Sequence, residues 1–291
     1  MPKTSGSSVA TGWSSAFRPS GYPNLLKHEL PPDTIATQNT LMQRLELKLT
    51  APAQQLAADE AVLDWCEAGC GGETLAFWEP HEPFVVVGYA NKVATEVNVA
   101  ACAARGVPIF RRCSGGGAVV QLPGGLNYSL ILRITENTPT RNITAANRFI
   151  MERNCGAIQA ALGAPPPTVT VRGHTDLALA WPGMAPATFL KVAGNSQRRR
   201  KHFLLFHGTL LLNCDLPLIS EFLRLPSLQP DYRAQRPHAE FVANLKLPVA
   251  VVQTTLARAW GAKAELAQPP LAEIEKLARE KYATDAWNHK F

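Results

Sequence analysis

A mixed α/β (α+β) domain is the fold class that the sequence predicts, and three observations carry the prediction. Short β-branched and aromatic runs interleave with stretches of helical apolar spacing along one chain. They do so without the strict strand–helix alternation of a doubly wound sheet. No internal period points to a repeat architecture. The 291 residues suffice for one large domain or two small ones. Residues 1–34, rich in Ser, Gly and Pro, read as an N-terminal tail, and residues 35–291 as the folded part.

The elements follow in order. No element is assigned to Ile35–Leu49, where polar and apolar residues mix. From Ala53 to Glu67, Leu56, Ala57, Val62, Leu63 and Cys66 recur at helical spacing, and Gly69 ends the pattern. Thr74–Trp78 and Phe84–Val87, parted by Pro80 and Pro83, read as strands. Ala94–Gly106 reads as a helix and Val107–Arg111 as a strand leading into a glycine cluster. Leu126–Ile134 is a strand, and Ala145–Leu162 is a helix closed by Gly163. Val169–Arg172, Asp176–Ala180, Phe189–Ala193 and Phe203–Asn213 are strands joined by polar turns. Val249–Ala262 and Leu271–Tyr282 are the last helices.

Composition excludes several classes. No apolar run reaches the roughly 18 residues of a membrane span, and Met1–Lys27 lacks the apolar core of a secretory signal. A cytoplasmic protein is expected. Its six cysteines are scattered through a long chain, so free thiols are expected rather than a disulfide framework. Cys66 and Cys70 have no second Cys or His pair at ligand spacing, so no structural metal is expected. The net charge is +6, and the densest basic run is Arg198-Arg199-Arg200-Lys201-His202. No aromatic residues interleave there to stack bases, and nucleic acid is not an expected partner.

The sharpest local feature is Arg111-Arg112-Cys113-Ser114-Gly115-Gly116-Gly117-Ala118-Val119. Consecutive glycines give up much backbone freedom on folding. In return they admit a ligand to the backbone and turn successive amides toward an anion. A tight hairpin would use the same glycines, but the abutting arginines favour an anionic ligand. The pattern is neither a Walker loop nor a dinucleotide fingerprint.

Leu190-Lys191-Val192-Ala193-Gly194-Asn195-Ser196 sets a lysine in an apolar strand. Such a lysine stands on a solvent face or aims into a pocket, where its ammonium would neutralise a carboxylate and a phosphate together. In Phe206-His207-Gly208-Thr209 the histidine is either a core imidazole or a pocket residue that Gly208 lets a ligand approach. Asp176, in Gly173-His174-Thr175-Asp176-Leu177, is a candidate to orient Lys191 or to help place a metal.

Taken together, these segments, with Leu126-Asn127-Tyr128-Ser129, resemble the lipoate-protein ligase A family. Leu56-x-x-Asp59-Glu60-Ala61 and Tyr282-Ala283-Thr284-Asp285-Ala286-Trp287-Asn288 extend the resemblance from about Ala51 to the C-terminus. It implies the fold of biotin and lipoate ligases, with mixed, largely antiparallel sheets packed against helices. It implies ATP and lipoate as substrates, Mg²⁺ as activating ion, and acyl transfer through lipoyl-AMP to a lysine. The acceptor would be a lipoyl carrier domain of a 2-oxoacid dehydrogenase or a glycine cleavage carrier protein. By motif, Lys191 would be catalytic. Arg111, Ser114, Gly116, Gly117, Ala118, Val119, Asn127, Asp176, Gly194, Asn195, His207, Gly208 and Thr209 would bind nucleotide or lipoate. Such carriers are typically acidic, so the Arg198–Lys201 run would steer the encounter. A separate accessory subunit is a further implied partner.

Three departures stand out. Gln121-Leu122 replaces the family's His-Asp, Gly124-Gly125 its Gly-Asn, and Phe206 the first His of His-His-Gly-Thr. They predict the loss of a carboxylate and an imidazole at the pocket. The rival activity implied by the resemblance is lipoyl or octanoyl transfer between carriers through a cysteine thioester. One octanoyltransferase branch carries that cysteine just before the Asp/Glu-Leu strand. Val169-Thr170-Val171-Arg172-Gly173 has none, which leaves Cys113 and Cys214 as candidates. A non-catalytic lipoate-binding homologue is the other alternative.

Overall fold

Strands and helices interleave through the computed structural model, which describes residues 41–163, 167–183, 185 and 188–291. The expected N-terminal tail lies outside the described residues. The strands are β1 (Gln43–Leu45), β2 (Thr74–Trp78), β3 (Phe84–Val87), β4 (Ile109–Arg111), β5 (Val119–Gln121) and β6 (Gly125–Arg133). They continue with β7 (Thr168–Arg172), β8 (Asp176–Ala180), β9 (Leu190–Arg199), β10 (Phe203–Leu211) and β11 (Ala264–Glu265). The helices are α1 (Pro52–Glu67), α2 (Val93–Glu96), α3 (Val99–Arg105), α4 (Ile143–Leu162), α5 (Pro217–Phe222), α6 (His238–Phe241), α7 (Val249–Trp260), α8 (Leu271–Leu277) and α9 (Asp285–Asn288).

One eight-stranded sheet runs β11-β1-β2-β6-β10-β9-β8-β7, and a three-stranded sheet runs β4-β3-β5. Pairing is parallel only where β1 meets β2 and β11 and where β3 meets β4. The sheets are therefore mixed and largely antiparallel, as the resemblance implied.

Strand alternation sends successive side chains to opposite faces. Leu204, Phe206 and Leu210 of β10 pack with Leu126, Tyr128, Leu130 and Leu132 of β6 against α4 and α7. Phe203 and Leu205 face the other way, with Ile131, toward α1 and α8. The small sheet joins this second side, where Phe84 and Val86 meet α1 and Val85 and Val87 meet Leu122 and Leu211. Helix α1 is buried on nearly all sides between Gln55 and Leu63, since it lies between the large sheet and α8.

Several elements differ from expectation. Residues 94–106 form two helices because Asn98 accepts from the Ala101 amide and starts a second one, which Gly106 closes at φ +64°. Strand β9 runs on through the polar stretch to Arg199, since β10 supplies its backbone partners throughout. The short elements β1, β5, α5, α6, β11 and α9 carry too few residues for a periodic signal.

Candidate active site

The registers line up a polar stripe on the face turned toward α1. Asn127 of β6 stands opposite Thr209 of β10, which stands opposite Gly194 of β9, which stands opposite Asp176 of β8. One row further along, Ser129, His207 and Ser196 are neighbours in the same way. Directly opposite residues share a face, so the two rows form one surface.

Lys191 joins this surface across a register shift between Leu177 and Ala178. Its Nζ lies 2.8 Å from Asp176 Oδ1, and Tyr232 donates its hydroxyl to Asp176 Oδ2 at 2.9 Å. Gly194 is needed beneath it, because a Cβ there would come within 2.9 Å of the ammonium. The Lys191 side chain is 29% exposed, so the cation is held in place yet remains open to a ligand.

In the second row a chain of hydrogen bonds runs through His207. Its Nδ1 lies 2.5 Å from Asp59 Oδ2 on α1, and its Nε2 lies 2.5 Å from Ser114 Oγ. Ser129 donates to the other oxygen of Asp59, and Arg112 donates through Nε to Ser114 Oγ at 3.1 Å. Asp59, Ser114 and Ser129 are buried.

The glycine loop closes over this row. It wraps round the Arg112 guanidinium, which donates to the carbonyls of Gly115 and Gly117, and Ser196 donates to the Gly115 carbonyl at 2.9 Å. Gly116 sits at φ +83°, a left-handed conformation that glycine adopts without strain. Gly88 lies so close to the Gly116 carbonyl that any side chain there would overlap it. Gly115, Gly116 and Gly117 are exposed, and their amides donate to no protein acceptor among the described residues. Ala118 and Val119 lead from the loop into the small sheet.

The site residues expected from the sequence thus divide. Lys191, Asp176, Gly194, Asn127, Thr209, His207, Ser114, Gly116 and Gly117 converge on one surface. Arg111 does not. It is fully buried and its guanidinium donates to the carbonyls of Gly88, Tyr89, Asn91, Trp287 and Asn288, which ties the loop to the C-terminal residues. Asn195 and Gly208 point to the opposite face. There Asn195 accepts from the Tyr128 hydroxyl and donates to the Thr175 carbonyl, and Gly208 makes room for it.

Phe206 and Leu122, from two of the three departures, prove to be core residues. Phe206 is buried against α4 and α7, and Leu122 is buried beside the small sheet. Neither of these two positions faces the stripe, so the carboxylate that Leu122 replaces is not a group lost from that surface. Gln121 does face the stripe, but its amide donates to Asn127 Oδ1 at 2.9 Å and Thr209 Oγ1 at 3.0 Å and is closed off.

Sequence reasoning missed Asp59 and Ser129 as site residues and gave Arg112 only a supporting part. A carboxylate within the apolar-spaced run Leu56–Leu63 was the available signal for Asp59, and Ser129 lies two strand positions from Asn127. Tyr232 gives no local signal. The basic run is largely consumed. Arg198 donates to the Cys113 carbonyl, Arg199 to those of Thr140 and Arg141, and Arg200 pairs with Asp64. Lys201 and His202 remain exposed.

The two candidate thiols, Cys113 and Cys214, are poorly placed as nucleophiles. Burial, together with the Glu60 and Asp59 carboxylates, pushes Cys113 up to about 12, and burial pushes Cys214 up to about 11. Ionisation to the reactive thiolate is correspondingly disfavoured. No described helix is long and apolar enough to cross a membrane.

The architecture is that of lipoate ligases. The crystal structure of lipoate-protein ligase A bound with ATP overlays with a TM-score of 0.66 at 25% identity, covering 86% of this chain and 99% of that one. Residues 51–258 match the lipoyl protein ligase A/B catalytic domain, and the chain belongs to that family. Relatives carry both kinds of name. Octanoyltransferase LipM of Geobacillus kaustophilus is 27% identical over 82% of this chain and 94% of its own length. Lipoate–protein ligase 1 of Staphylococcus aureus is 27% identical over 83% and 71%.

Proposed function

We propose that the protein activates lipoate or octanoate with ATP to the acyl adenylate and transfers the acyl group to a lysine of a lipoyl carrier domain. The observation that carries this reading is the Lys191 ammonium, fixed by Asp176 over Gly194 on the surface that the glycine loop overhangs. One open cation beside outward amides suits a carboxylate and an α-phosphate brought into contact, where it offsets their repulsion. Ser114, Gly116 and Gly117 would cradle the nucleotide, and Asn127, Thr209 and His207 line the same surface.

Mg²⁺ fits this arrangement as an ion carried by substrate phosphates. Among the described residues no group of three or more His, Cys, Asp or Glu could cage a metal. Mg²⁺ ordinarily binds through one or two carboxylates plus phosphates; Asp176 is the carboxylate on this surface, with its oxygens already engaged by Lys191 and Tyr232, so the phosphates would supply most of the ligands. When bound, the ion would neutralise phosphate charge.

A second reading, octanoyl transfer from a carrier thioester, is favoured by the LipM relatives. The cysteine route finds little support in this chain: β7 carries no cysteine, and Cys113 and Cys214 are buried. The deciding assay is the mass of an apo lipoyl carrier domain after incubation with the protein, lipoate, Mg²⁺ and ATP. An ATP-dependent lipoyl increment supports the ligase. An increment obtained only from an octanoyl-carrier donor without ATP overturns it.

A further inference from the structure

The adenylate reading uses Ser114 and His207 only to line the nucleotide surface and gives the Ser114–His207–Asp59 chain no part in proton transfer. Asp59 Oδ1 accepts from Ser129, and Asp59 Oδ2 faces His207 Nδ1 at 2.5 Å. A carboxylate only accepts, so in the neutral imidazole Nδ1 is the protonated nitrogen and Nε2 can accept from the Ser114 hydroxyl 2.5 Å away. Hydroxyl, imidazole and carboxylate then stand in the order that activates a serine, with the carboxylate fixing the tautomer.

Apolar surface lies beside the chain. A crevice between α1, β1 and β2, lined by Leu45, Leu47, Val62, Trp78 and Ile131, has Asp59 and Ser129 in its wall and is too narrow as it stands for an acyl chain, which would have to widen it. The amides of Gly115, Gly116 and Gly117, free of protein acceptors among the described residues, begin one residue after the serine. Such amides are the ordinary means of holding an oxyanion.

We propose that Ser114 is a nucleophile that takes a medium-chain acyl group from a thioester donor and passes it on, giving this chain an ATP-independent route through an acyl-serine ester. Ser114 Oγ attacks the thioester carbonyl as His207 Nε2 takes its proton. The C–S bond breaks, and the leaving thiolate recovers that proton from His207. A lysine amine, or water, then attacks the ester, His207 again carrying the proton, and the C–O bond breaks to restore the Ser114 hydroxyl. Ser114 is only 1% exposed, so the proposal requires the Gly115–Gly117 segment to release its bonds to Arg112 and Ser196 and admit the donor. The proposal rests on the family assignment and not on the ATP-dependent reading.

The test uses the full chain without ATP, p-nitrophenyl octanoate and an octanoyl thioester of N-acetylcysteamine, followed by intact mass and peptide mapping. The activated ester needs no recognition of a carrier protein. The expected result is one octanoyl group per chain, on the Ser114 peptide. It should be lost in Ser114→Ala, retained in Ser114→Cys, and formed up to about 10⁴-fold more slowly in Asp59→Asn. Circular dichroism and melting of each variant report that it is folded. No adduct from either donor in both wild type and Ser114→Cys overturns the proposal, as does an adduct that persists in folded Ser114→Ala. ATP-dependent lipoylation, assayed separately on wild type, succeeds or fails independently and so separates this proposal from the ligase reading.

Discussion

The two faces of the eight-stranded sheet do opposite work with the same strands. Toward α4 and α7 the sheet presents a close-packed apolar surface, and the polar atoms at its centre are closed into a network. Tyr128 donates to Asn195 at 2.5 Å and accepts from Asn154, whose oxygen accepts from Trp260 Nε1 at 2.8 Å. Toward α1 the face carries a carboxylate, an ammonium, an imidazole and hydroxyls under a loop of exposed amides. A saturated polar network rigidifies, whereas an open cation and unsatisfied amides leave binding capacity for a ligand. Adjacent residues such as Gly194 and Asn195, or His207 and Gly208, therefore differ in task because they differ in face.

The largest effect expected from breaking this division is at Lys191. Lys191→Ala should lower carrier acylation by roughly 10²–10³-fold, about 2.7–4 kcal/mol in the barrier, as removal of a preorganised electrostatic contact does. Its melting temperature should stay near that of wild type, because the ammonium is paired only with Asp176 at a partly open site. A large fall in melting temperature would mean that the polar face also holds the fold together.

The glycines sharpen the contrast further. A Cβ at Gly208 would overlap Asn195 Oδ1 in the packed network. Gly208→Ala should cost about 1–3 kcal/mol, read as a drop of roughly 2–4 °C per kcal/mol in thermal melting. A Cβ at Gly194 would meet only the flexible end of Lys191. Gly194→Ala should leave melting unchanged and reduce acylation about 10-fold, near 1.4 kcal/mol, by moving the ammonium off Asp176. Equal melting losses at the two positions would contradict the assignment of faces.

These contrasts also locate what the sequence could tell. Helices α4 and α7 and most strands of the large sheet follow from spacing, because periodic burial leaves a periodic pattern, and α1 follows from a run of helix-forming residues ended by Gly69 although it is buried on nearly all sides. The motif residues Lys191, His207 and Thr209 were legible as a set through family resemblance. Their faces were readable only in part, because a contiguous motif hides the alternation that sends Phe206 and Gly208 to the core. Arg111 and Arg112 look equivalent as neighbours, yet one staples the C-terminal residues and the other fills the glycine loop. Tyr232 and Gln121 reach the site through tertiary placement that no local pattern encodes.

Acid titration probes the α1 side by a smaller effect. Burial alone would raise the Glu60 carboxyl, but Lys281 Nζ at 2.5 Å, the Tyr282 hydroxyl at 2.7 Å and Arg200 outweigh it and hold its pKa below the ordinary value. A depressed folded-state pKa contributes stability above the unfolded value, near 4.5, that is lost as pH falls through the folded value. Urea midpoints should therefore fall below about pH 4.5, and Glu60→Gln should flatten that limb. An unchanged limb in the variant would place the acid-labile charge elsewhere.

The smallest effect expected is at Tyr128, and it tests whether the faces are independent. Tyr128→Phe removes one oxygen and leaves the Asn195 carbonyl oxygen and the Asn154 amide without that partner. Leaving a buried polar group unsatisfied costs about 1–3 kcal/mol, so the urea midpoint should fall modestly. Asn195 adjoins Gly194, over which Lys191 lies, but Asn195 keeps its bond to the Thr175 carbonyl at 2.7 Å. Strand β9 should thus hold its register against β10, and acylation by the folded variant should match wild type. A fall in acylation without unfolding would mean that the buried network sets the position of Lys191 through the backbone of Gly194 and Asn195, and that the closed face is part of the site.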